Sequence, residues 1–144
     1  MSEDTGRDEA ARGDDGRSEE LRDSPMMAHL LDALEAGRDI GHYGRLTFVM
    51  VARFFRDEDD LVGLLAKQPG SDEADARALV RQVQAHDYNP PKRERVLEWQ
   101  AQQDFPICPT PDDPRSCNVY SELRFPDHIY QQIDEFWEER TTSE

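Results

Sequence analysis

Lysine is nearly absent from this 144-residue chain: only Lys67 and Lys92 occur, and arginine supplies the remainder of the 17 basic residues. Cysteine is as scarce, with Cys108 and Cys117 alone. Two cysteines are too few for a disulfide framework and suit a reducing compartment better. No apolar run approaches the roughly 18 residues of a membrane span, and the N-terminus lacks the apolar core of a signal peptide. A cytoplasmic protein with no membrane partner is therefore expected. The chain has no Gly-rich phosphate loop and no nucleophile with an evident base, and its histidines are scattered, so an enzyme has little support. Internal repeats and Asn-Gly hairpin signals are also missing.

Carboxylate is what the chain has in abundance. Asp and Glu number 32, and the net charge is −15. A dense carboxylate surface with arginine in place of lysine suits a cytoplasm held at molar salt, where it maintains hydration and solubility. Against that background net charge says little about partners, and local departures from it say more.

The length allows one domain with a real core. The first 24 residues, MSEDTGRDEAARGDDGRSEELRDS, hold a single leucine, and so cannot bury enough surface to offset their ordering entropy. Then PMMAHLLDALEAG places Met26, Met27, Leu30, Leu31 and Leu34 at helical spacing, with Pro25 at its start and Gly37 as a C-cap. YGRLTFVMVARFFR is apolar around most of its circumference and reads as the central helix. Asp57 caps a helix over DEDDLVGLLAK, which ends before Pro69-Gly70. SDEADARALVRQVQAH turns Ala76, Leu79, Val80 and Val83 to one face. A short helix near Arg95 to Gln102 has Val96 and Trp99 to bury. FPICPTPDDPRSCNVYSEL is an irregular loop, and Pro126 opens a last helix with Ile129, Ile133, Phe136 and Trp137 in register. The expected fold is all-α: a compact multi-helix domain over 25–140, with an irregular Pro-rich loop and a disordered acidic tail over 1–24.

Two segments break the acidic rule. From His42 to Arg56 there is no Asp or Glu, while Arg45, Arg53 and Arg56 are present. On one continuous helix Arg45 and Arg56 would fall close to one line, a stripe about 16 Å long. From Arg77 to Arg95 stand Arg77, Arg81, Lys92, Arg93 and Arg95 against only Asp87 and Glu94, with Tyr88 among them. Basic residues beside an aromatic suit a single-stranded nucleic acid, whose phosphates pair with arginine and whose bases stack on rings. The alternative is that these arginines pair with carboxylates of neighbouring helices. Within the second segment, HDYNPPKRER sets cations around a double proline, a stiff extended joint.

The order GRDIGHYGRLTFVMVARFF, LLAKQPGSDEADARALVRQV, DYNPPKR, FPIC, SCNVYSEL resembles the C-terminal domain of the archaeal and eukaryotic DNA primase large subunit, over Pro25 to Leu123. That resemblance implies a helical, non-catalytic domain that helps a catalytic primase subunit begin a primer by holding single-stranded template DNA or the initiating nucleotide. His42 and Arg45 match the family's His-x-x-Arg helix start and would contact template phosphates or a triphosphate. Arginine suits that task through its planar fork. For His42, an ordinary helix-start histidine is the alternative.

The family binds an iron–sulfur cluster through four cysteines. Here the first position reads Ser24-Pro25-Met26, the second reads Arg93 in Tyr88-Asn89-Pro90-Pro91-Lys92-Arg93, and only Cys108 and Cys117 remain. Two thiolates cannot close that shell, nor a Cys-rich zinc site without His29 or His86. No cofactor is expected. The remaining cysteines are expected as packed thiols, with a bridging disulfide or a cluster shared between chains as the alternatives. The expected nucleic-acid or nucleotide-binding set is His42, Arg45, Arg53, Arg56, Arg77, Arg81, Tyr88, Lys92 and Arg93. A protein-interaction module on the same fold, with no nucleic acid, is the other reading.

Overall fold

The structure is a computed structural model that describes residues 19–132. Ser24 opens the first long helix: its side chain accepts from Met27 N, and Pro25 stands at the first position, where a missing N–H costs nothing. This helix, α1 (Pro25–Glu35), turns Met26, Met27, Leu30, Leu31 and Leu34 inward. The chain leaves it through Gly37, whose φ of 74° is the left-handed cap expected of it. Ordered structure begins earlier than the sequence suggests. Residues 19–21 are helical, and Leu21, assigned to the tail by composition, is completely buried in the core. Arg22 pairs with Asp32 at 3.0 Å. Residues 1–18 lie outside the described residues.

Helix α2 (Gly41–Ala52) is the hub, touching α1, α3, α4 and α5. Everything from Thr47 to Ala52 on it is buried. Helices α3 (Glu58–Leu65) and α4 (Glu73–His86) form the tightest pair, and each is N-capped by an aspartate, Asp57 and Asp72, accepting from the backbone three residues on. After the proline joint comes α5 (Arg93–Gln100), then a long irregular stretch and the one-turn α6 (Val119–Glu122). Residues 127–132 are helical directly after Pro126, with Ile129 buried. Ile133, Phe136 and Trp137 fall outside the described residues. Among the described residues there is no strand, and the all-α reading holds.

The central helix is shorter than its apolar pattern suggests. It ends at Ala52, and residues 53–55 tighten into a turn in which Phe55 N donates to Ala52 O at 2.8 Å. Packing is the cause: Phe54 and Phe55 both meet the edge of Phe125, each at 5.6 Å between centroids. Arg56 therefore does not sit on the helix, and the expected arginine stripe along α2 is not formed.

Candidate functional site: a groove at the proline joint

Pro90 and Pro91 have no N–H to give, so the joint from Tyr88 to Pro91 has no backbone ladder and is fixed by side chains from elsewhere. Arg53 Nη2 donates to Tyr88 O at 2.9 Å and to Asp87 Oδ1 at 2.7 Å. Asp87 itself is the left-handed residue (φ 52°) that ends α4. The half-buried Tyr120 donates its hydroxyl to Pro90 O. Burial, with the neighbouring Tyr130 second, pushes the Tyr120 phenol well above its usual range, so it remains a donor at any ordinary pH.

Held this way, the joint forms one side of a cavity of about 920 Å³ between α2, α4 and α5. Leu46, Met50 and Leu79 give it an apolar lining, and His42, Tyr88 and Trp99 give it three rings. Tyr88 is the one exposed large hydrophobic side chain among the described residues. Each of two rings is backed by another: Trp99 stacks on Tyr43 at 5.5 Å, and Tyr88 on His86 at 5.1 Å. Arg95 lies over the Trp99 ring at 5.8 Å and pairs with Glu98. Lys92 and Glu94 also reach the cavity, so its charges nearly balance in a chain that is otherwise strongly acidic. A smaller hollow of about 260 Å³, lined by Arg45, Ser71 and Asp75 among others, shares His42, Leu79 and Gln82 with it. The two hollows adjoin at these three side chains.

Three of the nine residues picked out from the sequence, His42, Tyr88 and Lys92, thus line one cavity. The arginines do not join them there. Arg45 pairs with Asp39 and donates Nε to Gln68 at 3.1 Å. Arg53 is engaged at the joint. Arg77 reaches Glu58 at 2.6 Å, Asp59 and Glu73, and Arg81 reaches the same Glu58 oxygen at 3.0 Å, clamping α3 to α4. Arg93 donates to Pro111 O at 2.7 Å and Asp113 O at 3.2 Å. Arg56 Nε is buried with no hydrogen-bond partner among the described residues. Arg45, Arg53, Arg77, Arg81 and Arg93 are tied to partners within the protein and do not form an open cationic stripe. The dense carboxylates of the chain, together with backbone carbonyls of its irregular segments, have captured them.

Two glutamines that the sequence does not flag position the start of α2. Ile40, its N-cap, offers no side-chain bond. Instead Gln68, 2 % exposed, accepts from Ile40 N at 2.9 Å. Gln103 accepts from Tyr43 N at 3.0 Å and donates to Ile40 O at 2.8 Å. Asp39 accepts from Gly41 N. With these donors engaged inside the protein, that helix start presents His42 to the groove without an open row of N–H groups for phosphate. Trp99, expected from the sequence to be buried, is half-buried: it packs against the core and also lines the groove, and α5 fully buries only Val96.

The cysteines are also placed differently from the expectation of packed thiols. Cys108 and Cys117 form a disulfide, Cα to Cα 5.9 Å. Turns at Thr110, Asp113 and Ser116 fold the intervening loop back on itself, and Cys117 takes a left-handed φ of 61°. With both thiols of the chain consumed, no free cysteine is left for a four-thiolate cluster.

Comparison with models of known protein families, with curated proteins and with solved structures finds no match to this chain.

Proposed function

We propose that this chain is a non-catalytic binding module, similar to the C-terminal domain of the DNA primase large subunit, which holds single-stranded template DNA or an initiating nucleotide as an accessory to a catalytic primase subunit. The observation that carries this reading is the gathering of His42, Tyr88 and Trp99 around one cavity beside Lys92 and Arg95. Backed rings are stacking platforms for any base, and each stacked base contributes about 1–3 kcal/mol by alanine substitution. Such contacts outlast molar salt, which shortens the Debye length to about 3 Å and removes long-range attraction. The binding seat is this groove, which Arg53 and Arg93 of the expected arginine set help to hold in place.

The test is a titration of Trp99 fluorescence with oligo-dT and with ATP in 2 M KCl, on a Trp137→Phe background that leaves one tryptophan. Quenching with a five- to hundredfold weaker dissociation constant in Tyr88→Ala is expected. Arg81→Ala, which loses only the Glu58 contact, leaves affinity within about twofold. No quenching with either ligand at millimolar concentration rejects the reading. A second reading, docking of an apolar protein segment, is favoured by the lining of Leu46, Met50 and Leu79. It predicts a complex with a partner chain that oligo-dT fails to displace.

A further inference from the structure

The proline joint is attached on two sides to a single segment, the one closed by the disulfide. Arg93, one residue beyond the groove-lining Lys92, donates to the carbonyls of Pro111 and Asp113, both inside the Cys108–Cys117 loop. Tyr120, three residues past Cys117, donates to Pro90 O. At the other end of the loop, Cys108 N donates to Gln100 Oε1 at 2.7 Å, on the last residue of α5. The bridged segment therefore grips the Pro90–Gln100 stretch at its helix start and helix end, and Tyr120, just beyond the bridge, holds its beginning. The same stretch supplies Pro90, Pro91, Lys92, Arg95 and Trp99 to the groove.

We propose that the Cys108–Cys117 disulfide is a redox-dependent brace of the groove, which fixes its rim when oxidised and releases it when reduced. Reduction would be carried out by a dithiol. Two electrons pass to the S–S bond, which breaks, two protons end on the Cys108 and Cys117 sulfurs, and the dithiol closes to its own cyclic disulfide. Both cysteines are buried, at 0 % and 2 % exposure, so a reductant reaches them only when the loop opens, and the oxidised form is long-lived. Once the bond is cut, only the turn hydrogen bonds that end at Ser116 hold Cys117 in its left-handed φ, a conformation uncommon for a non-glycine residue. As the loop relaxes, the carbonyls that receive Arg93 move and Tyr120 loses its fixed position. The brace stands independently of what the groove binds. Its role as a control of affinity rests on the nucleic-acid reading above.

Hydrogen exchange separates the two. With the full chain oxidised and then reduced by dithiothreitol, amides of residues 92–100 should exchange at least about tenfold faster on reduction, while those of α3 and α4 stay unchanged. Tyr120→Phe and Arg93→Gln in the oxidised protein each remove one attachment and should reproduce part of that rise, which covers the case in which a Cys108→Ser/Cys117→Ser chain fails to fold. Unchanged exchange at 92–100 after complete reduction, or an equal rise throughout the protein, overturns the brace. Oligo-dT affinity should fall about tenfold on reduction. Equal affinity in both states overturns the control of binding, whereas no binding in either state alongside a local rise in exchange removes only the nucleic-acid reading.

Discussion

At the scale of single residues, two glutamates respond to acid in opposite directions. Glu58 accepts from Arg77 and Arg81, which hold its carboxyl below the usual carboxylate range against a smaller effect of burial. Its contribution to stability is complete above the ordinary glutamate pKa of about 4.3 and is lost as pH falls through the lower folded value. Glu122 is the reverse case. Burial raises it, only partly offset by a bond from the Ser24 hydroxyl, and its Oε1 is buried without a partner among the described residues. The ionised form is penalised in the folded state alone, so the penalty is absent below about pH 4.3 and complete above the raised folded value. Glu122→Gln keeps an acceptor for Ser24 and removes the charge. Its melting temperature should exceed that of the parent at pH 7, with the gap closing as pH is lowered towards about 3.5. Thermal unfolding followed by circular dichroism across that range checks this, and a lower melting temperature at pH 7 would mean that the Glu122 carboxylate stabilises the fold.

At the scale of elements, the start of α2 shows where sequence reasoning succeeds and where it stops. Caps and breakers act over three or four residues, so Asp57, Gly37 and Pro25 could be assigned from the sequence, and all three lie where expected. The Asp72 cap was visible only as acidity in the first turn of α4. Gln68 and Gln103 bind backbone 28 and 63 residues away, and no periodicity encodes such a bond. The end of α2 was missed for a related reason, since Phe54 and Phe55 satisfy a helical pattern but pack from a turn against Phe125. In the groove, Lys92 stood out by local charge and Tyr88 as the aromatic among the cations, whereas His42 was marked only by the resemblance to the primase domain's His-x-x-Arg helix start. Trp99 both packs against the core and lines the cavity, a division that the sequence of so short a helix does not show. Gly41 tests the helix start. Its φ is 77°, and a Cβ there would collide with the Gln103 amide that bonds Tyr43 and Ile40. Gly41→Ala should cost about 1–3 kcal/mol from the left-handed backbone alone, with more from displacing Gln103. Urea unfolding measures it, and a change below about 0.5 kcal/mol would show that the glutamine clasp is dispensable.

For the whole molecule, the question is whether salt strengthens or weakens the fold, because two electrostatic effects oppose each other. The ion pairs at Glu58, Asp39 and Asp87 are attractive and would weaken with screening, but pairs open to solvent on at least one side contribute little each. Against them stands a net charge of −15, whose mutual repulsion acts over the whole surface and falls as the Debye length shrinks from about 10 Å at 0.1 M to about 3 Å at 1 M. Contact pairs near 3 Å keep more of their attraction under screening than carboxylates a Debye length apart keep of their repulsion. The balance therefore favours salt. Raising KCl from 0.1 to 2 M at pH 7 should raise the melting temperature, by roughly 2–8 °C for each kcal/mol gained. Potassium chloride is the right salt for this test, since sulfate would also strengthen apolar burial and confuse the cause. A melting temperature that falls over that range would show that the arginine clamps, above all Arg77 and Arg81 on Glu58, dominate stability. It would also mean that their capture is more than a by-product of abundant carboxylate. A rise leaves the same clamps as local fasteners, with carboxylate repulsion as the larger electrostatic effect on the fold.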